Sequence, residues 1–285
     1  MSDALTIAAH ALREAVRRRV LLVVGLLTAA FLGLYALAAF EAFDSLEGTT
    51  GGGFVPIDEQ ALAGGTLLGL AMFVALFLGV VLAIFLTLGA VRGDAERGLL
   101  QPLVVRPVGR TTLLVGRLLA ASAVCAVYVV AVFLAAVLIT QAAGDFTPGS
   151  LLVPAAGLAL GVVTVVAISL LGSTLLGTTA NGIAIFMVFA TGLAAGLLGQ
   201  IGEALDVDDL TTASSIVSWL VPFEALYQNG LHALTADIGG ATGVIVQLGP
   251  LGGADDVSGA IWIWAIAWSA IVTALAALAF SRRDL

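Results

Sequence analysis

The sequence predicts an all-α, polytopic membrane protein with six transmembrane helices, and two observations carry that prediction. Of the 285 residues 60% are hydrophobic and 11% charged, with a mean hydropathy of +1.13, whereas about a quarter of the residues in soluble domains are charged. The apolar residues also gather into six runs long enough to cross a bilayer. Crossing takes about 20 residues, because each backbone N–H and C=O must be satisfied within the segment. The runs are Val20–Phe40, Leu62–Ala90, Leu113–Thr140, Leu151–Leu176, Ala180–Ile201 and Gly259–Phe280, with no charge in their central portions. One domain covering residues 1–285 is expected.

Ahead of the first run, residues 1–19 place Leu5, Ala9, Leu12 and Val16 on one helical face and His10, Arg13, Glu14 and Arg17 on the other. That is the pattern of an amphipathic helix lying in the membrane interface; a plain polar lead-in is the alternative. The first run starts behind Arg17, Arg18 and Arg19 and is long enough to span, so it reads as a retained helix and not a cleaved signal.

The connections differ in character. Span 1 leads into the Gly-rich, acidic "EAFDSLEGTTGGGFVPIDEQ", expected to be exposed. "AAGDFTPGS" is a short turn between spans 3 and 4, and the uncharged "GTTANG" joins spans 4 and 5. Residues 202–258 are too long for a turn. Within them "SSIVSWLVPFEALYQNGLHALT" is half apolar and interrupted by Pro222, which predicts two short helices dipping into the outer leaflet. Glu224, beside that break, reads either as part of an exposed turn or as a functional group. Glycine pairs at four-residue spacing, Gly65 and Gly69, Gly157 and Gly161, Gly192 and Gly196, permit close helix approach without naming an interface.

Charge sets the orientation. All 11 basic residues are arginine. They fall before span 1, between Arg92 and Arg117, and at Arg282 and Arg283, so by the positive-inside rule these three segments and both termini are cytoplasmic. Asp3, Glu14, Asp94, Glu96 and Asp284 share that side, and the remaining carboxylates of this chain of net charge −8 face out.

Several chemistries find no residues to carry them. The two histidines, His10 and His232, lie outside the spans, and Cys125 is the single cysteine, so neither a disulfide framework nor an imidazole-held metal within the membrane is expected. Ser169 and Ser173 have no intramembrane base to activate them and are expected to bond back to their own helix. No charged residue falls in the central portion of a span, which disfavours a carrier working alone. A chain without lysine cannot form the usual ATP-binding P-loop. Asp206, Asp208 and Asp209 read as a solvated acidic turn, with a divalent-metal site for a lipid-modifying enzyme as a weaker reading. If the protein pumps, its energy comes from another subunit.

The most charged stretch, "VRGDAERGLLQPLVVRPVGR" between spans 2 and 3, is the docking candidate. Asp94 can cap a short helix there, Glu96 favours its first turn, and Leu99, Leu100 and Leu103 give it an apolar face. Pro107 closes the element, and Thr111 or Thr112 can cap span 3. Arginines anchoring the loop to anionic headgroups are the alternative.

In Glu96, Gly98, Leu99, Leu100, Pro107, Gly109, Arg110 and Arg117 this segment resembles the ABC type-2 permeases, the membrane subunits of exporters serving copper-site maturation, sodium efflux and drug export. It departs from the family pattern at Leu99, often Thr, at Pro102, and at Arg117, usually Lys. The long fifth connection with "LVPFEALY" and the ending "FSRRDL" are also similar to such permeases.

The resemblance implies a non-enzymatic, multi-pass subunit of the cell membrane that exports a substrate as a homodimer or paired with a similar permease. ATP and Mg would be bound by a separate ABC ATPase subunit. It also implies that residues 91–112 form a cytoplasmic coupling loop, with Asp94, Glu96, Arg97, Gly98, Leu99, Leu100, Arg106, Pro107 and Arg110 meeting that ATPase. The lipid bilayer is the other partner, and no nucleic acid is expected. A membrane scaffold without transport is the alternative function.

Overall fold

The computed structural model describes residues 19–47, 58–87, 110–239, 242 and 259–282. Among them there are eight helices and no strand: α1 Arg19–Glu47, α2 Glu59–Thr87, α3 Arg110–Gly144, α4 Leu152–Leu175, α5 Thr178–Ala204, α6 Asp208–Leu220, α7 Phe223–Thr235 and α8 Ala260–Ser281. Six are long and apolar enough to cross a membrane, namely α1 to α5 and α8, matching the six predicted runs.

The differences lie at the ends. The third span begins at Arg110 and runs 35 residues to Gly144, so Thr111 and Thr112 sit inside its first turn and do not cap it from outside. At its far end Asp145 takes a left-handed φ of 50° and its N–H bonds the Gln141 carbonyl, stopping the helix. α2 starts where the Asp58 carboxylate accepts the Ala61 N–H at 2.9 Å, the geometry of a side-chain N-cap.

α4 is the central helix, packed against α2, α3, α7 and α8. It is apolar on every face, as expected of a helix surrounded by others. The core runs through Leu68, Met72 and Leu76 of α2, Phe133 of α3, Leu158 and Val162 of α4, and Phe223 of α7. α1 and α8 are peripheral and turn large apolar side chains outward, Leu22, Leu26 and Leu37 on one and Ile263, Ile266 and Leu278 on the other. In a bilayer such surfaces face acyl chains at no cost. Cys125 is fully buried in the core, where it packs as a small apolar residue.

The fifth connection forms the expected pair of short helices. α6 and α7 are separated by Val221 and Pro222, where proline cannot continue the α6 hydrogen-bond ladder. α5 closes into α6 through a Schellman turn: the Val207 N–H bonds the Gly202 carbonyl at 2.8 Å and the Asp206 N–H bonds that of Glu203 at 3.3 Å. Asp206 holds a φ of 54° there, and it, Asp208 and Asp209 are exposed, as a solvated acidic turn requires.

Candidate functional site

Of the residues assigned to ATPase docking, Asp94, Glu96, Arg97, Gly98, Leu99, Leu100, Arg106 and Pro107 lie outside the described residues, as does the amphipathic segment before α1. Arg110 opens α3. The structure therefore bears on the two helices that flank this loop, α2 and α3.

At that end of the bundle a buried polar cluster joins three helices. Thr87, the last residue of α2, shares a 2.6 Å hydrogen bond with Ser169 of α4. The Ser169 carbonyl accepts the Asn181 Nδ2 of α5 at 3.0 Å. All three residues are at most 1% exposed. Ser173 bonds back to its own helix at Leu170 as expected, but Ser169 reaches across to α2. Gly172 makes room for this cluster, since a Cβ there would collide with the Asn181 amide oxygen. Apolar contacts among Leu114, Leu170, Ala276 and Phe280 bring the start of α3 against the ends of α4 and α8 at the same level.

At the opposite end the α6–α7 hairpin folds into the bundle. α7 is buried along its length, including Phe223, Glu224, Leu226, Tyr227 and Leu231, while α6 has no buried residue. Glycines receive it. On α5, Gly192, Gly196, Gly199 and Gly202 recur every three or four residues along one face, and each abuts the hairpin: the Phe223 ring, the Glu224 carboxylate, the Ser214 hydroxyl, and Leu210 with Thr211. On α4, a Cβ at Gly157 would fall 2.8 Å from the Leu226 carbonyl oxygen, and Gly161 lies against the Phe223 backbone. On α7 itself, Gly230 meets Met72 of α2 and Pro154 of α4. Two of the glycine pairs that named no interface in the sequence, Gly157 with Gly161 and Gly192 with Gly196, thus line the cradle of α7, because the lack of a side chain lets the backbones approach.

Aromatic residues secure the hairpin from the other side. Trp264 of α8 donates its Nε1–H to the Trp219 carbonyl at 2.8 Å, and the two rings sit 5.7 Å apart. The Trp262 Nε1–H bonds the Asn229 Oδ1 at 3.2 Å. Within the core Phe189 stacks on Phe223 at 5.2 Å, an offset arrangement that adds to simple burial.

The sequence left Glu224 open between part of an exposed turn and a functional group, and the structure removes the first: the residue is 3% exposed, and its Oε2 accepts the Ser218 hydroxyl at 3.4 Å. An ionisable side chain therefore does lie among the helices, carried there by the hairpin and not by a span. One turn on, burial and the neighbouring Glu224 carboxylate raise the Tyr227 hydroxyl above its usual pKa of 10.0. Scanning the spans for charge misses this arrangement; the glycine stripe from Gly192 to Gly202, facing a half-apolar connection, is the signal that marks it.

A family model described as "ABC-2 family transporter protein" matches residues 5–285. No curated protein matches the chain.

Proposed function

This chain belongs to the ABC-2 transporter family, and from that premise we propose that it is the permease subunit of an exporter driven by a separate ABC ATPase. Members of the family are membrane subunits of ABC transporters, so a multi-pass protein of the cell membrane follows directly. The observation that carries the proposal is the reach of the family match, residues 5–285, which takes in all six apolar helices and the charged connection between α2 and α3.

On this reading two copies of the chain dock two ATPase subunits on the cytoplasmic side. ATP and Mg bind in the partner, whose closure pushes on residues 91–112 and on the interfacial segment 1–19. A push on residues 91–112 reaches α2 and α3 first. The Thr87–Ser169–Asn181 cluster supports its passage to α4 and α5, and α5 carries the glycine stripe that seats the hairpin. Movement of α7 from that seat is the opening that releases substrate outward. Packed elements with two arrangements are the physical basis of such switching.

Co-purification tests the docking step. The tagged chain expressed with its genomic neighbours should retain an ATPase carrying a P-loop. Arg106→Glu with Arg110→Glu should weaken that retention while the permease stays folded. Capture of no ATPase, or capture indifferent to charge reversal, would favour the membrane-scaffold alternative.

A further inference from the structure

The first two turns of α7 present a set of oxygen acceptors that docking and coupling leave unused. Glu224, Tyr227 and Gln228 follow at i, i+3 and i+4, so they share one helical face. Gly196 of α5 is the wall opposite two of them, for a Cβ there would strike the Glu224 carboxylate and come 3.3 Å from the Gln228 Nε2. Ser218 closes the side toward α6, with its hydroxyl on Glu224. Tyr227 is 5% exposed. Its hydroxyl and the Gln228 amide oxygen are buried and make no hydrogen bond among the described residues. Such orphaned groups are rare in folded proteins and call for a specific explanation.

We propose that Glu224, Tyr227 and Gln228 form a binding site for an organic ammonium group at the seam between α5 and α7. This deepens the transport reading and rests on it: the seam is where the hairpin would part from the spans. The acceptors match a ligand that brings several N–H donors and a positive charge to one carboxylate. The stacked Phe189 and Phe223 rings beside the first turn of α7 suit the alkyl part and the cation together. A bare divalent ion fits less well, because it takes six or more oxygens, and no group of three or more His, Cys, Asp or Glu side chains that could hold a metal ion occurs among the described residues. In the packed conformation Gly196 occupies the ligand's side of the carboxylate, so binding and separation of α7 from α5 are linked.

Tryptophan fluorescence reads the site directly, since Trp219, Trp262 and Trp264 hold the hairpin. The full chain in lipid nanodiscs, without ATPase, is titrated with butylammonium chloride, with sodium chloride and butanol as controls. A saturable change with butylammonium alone is expected. Glu224→Gln should weaken it about tenfold or more and Tyr227→Phe severalfold, the scale of a charge-assisted and a neutral hydrogen bond. Tyr227→Phe removes a single oxygen and keeps the test valid should Glu224→Gln misfold. An equal response to butanol or sodium, or unchanged affinity in Tyr227→Phe and in folded Glu224→Gln, overturns the site. Because the chain is measured alone, failure of ATPase docking leaves this result untouched, and the converse holds.

Discussion

The Glu224 carboxylate of α7 lies directly against the backbone of Gly196 in α5. A side chain of any size at position 196 must displace the Glu224 carboxylate from its place. Gly196→Val should therefore destabilise the protein by about 1–3 kcal/mol, the usual cost of overpacking a close contact. Gly33→Ala, where nothing lies within 4 Å of an added Cβ, should be neutral. Thermal unfolding in detergent, followed by circular dichroism, compares the two.

The Trp264 indole ties α8 to the end of α6. Trp264→Phe keeps the aromatic contact with Trp219 but loses the hydrogen bond, worth about 0.5–1.5 kcal/mol. The expected result is a slightly less stable protein whose remaining tryptophan emission shifts to longer wavelength, as Trp219 becomes wetter. An emission spectrum of the variant checks this.

Thr87 and Ser169 bond each other out of contact with solvent. Thr87→Val should cost about 0.5–2 kcal/mol, the range for hydroxyl pairs between membrane helices. Ser169→Ala should cost a similar amount, and the double variant clearly less than their sum, because the second change removes a group already orphaned. If Thr87 passes motion from the charged connection to α5, each variant should also lower transport relative to ATP hydrolysis while ATPase retention is unchanged.

Tyr227 gives a pH dependence of definite sign. Its folded-state pKa lies above the ordinary value of 10.0, so its contribution to stability is complete below that value and is lost as pH rises through the folded-state pKa. Tyr227→Phe should flatten the fall in stability on the alkaline side. Denaturation midpoints measured between neutral and strongly alkaline pH report the difference.

The spans were legible in the sequence because a bilayer demands long, uninterrupted apolar segments, and each of the six runs has its helix. Pro222 gave the break between α6 and α7 by the same local logic. What composition could not carry was depth. Glu224 lies two residues past a proline in a mixed segment, and it is buried only because α7 as a whole seats against Gly157 and Gly161 of α4 and Gly192 and Gly196 of α5, with Gly196 at the carboxylate itself. These contacts join residues far apart in sequence, so no local pattern states them. Ser169 shows the same limit, since a hydroxyl in a helix bonds backward by default and its turn toward Thr87 depends on where α2 ends.

α3 is one unbroken rod from Arg110 to Gly144, about 52 Å long at the α-helical rise and thus longer than the hydrocarbon it crosses. Pivoted near its middle, such a rod would act as a lever with arms of about 26 Å, a tilt of about 5° carrying each tip about 2 Å in opposite directions. Gly144 sits under the Phe43 ring, and its carbonyl holds the Gln60 side chain. A small sideways displacement at the arginine end would then arrive, reversed in sense, where α1, α2 and α3 meet on the other face of the membrane.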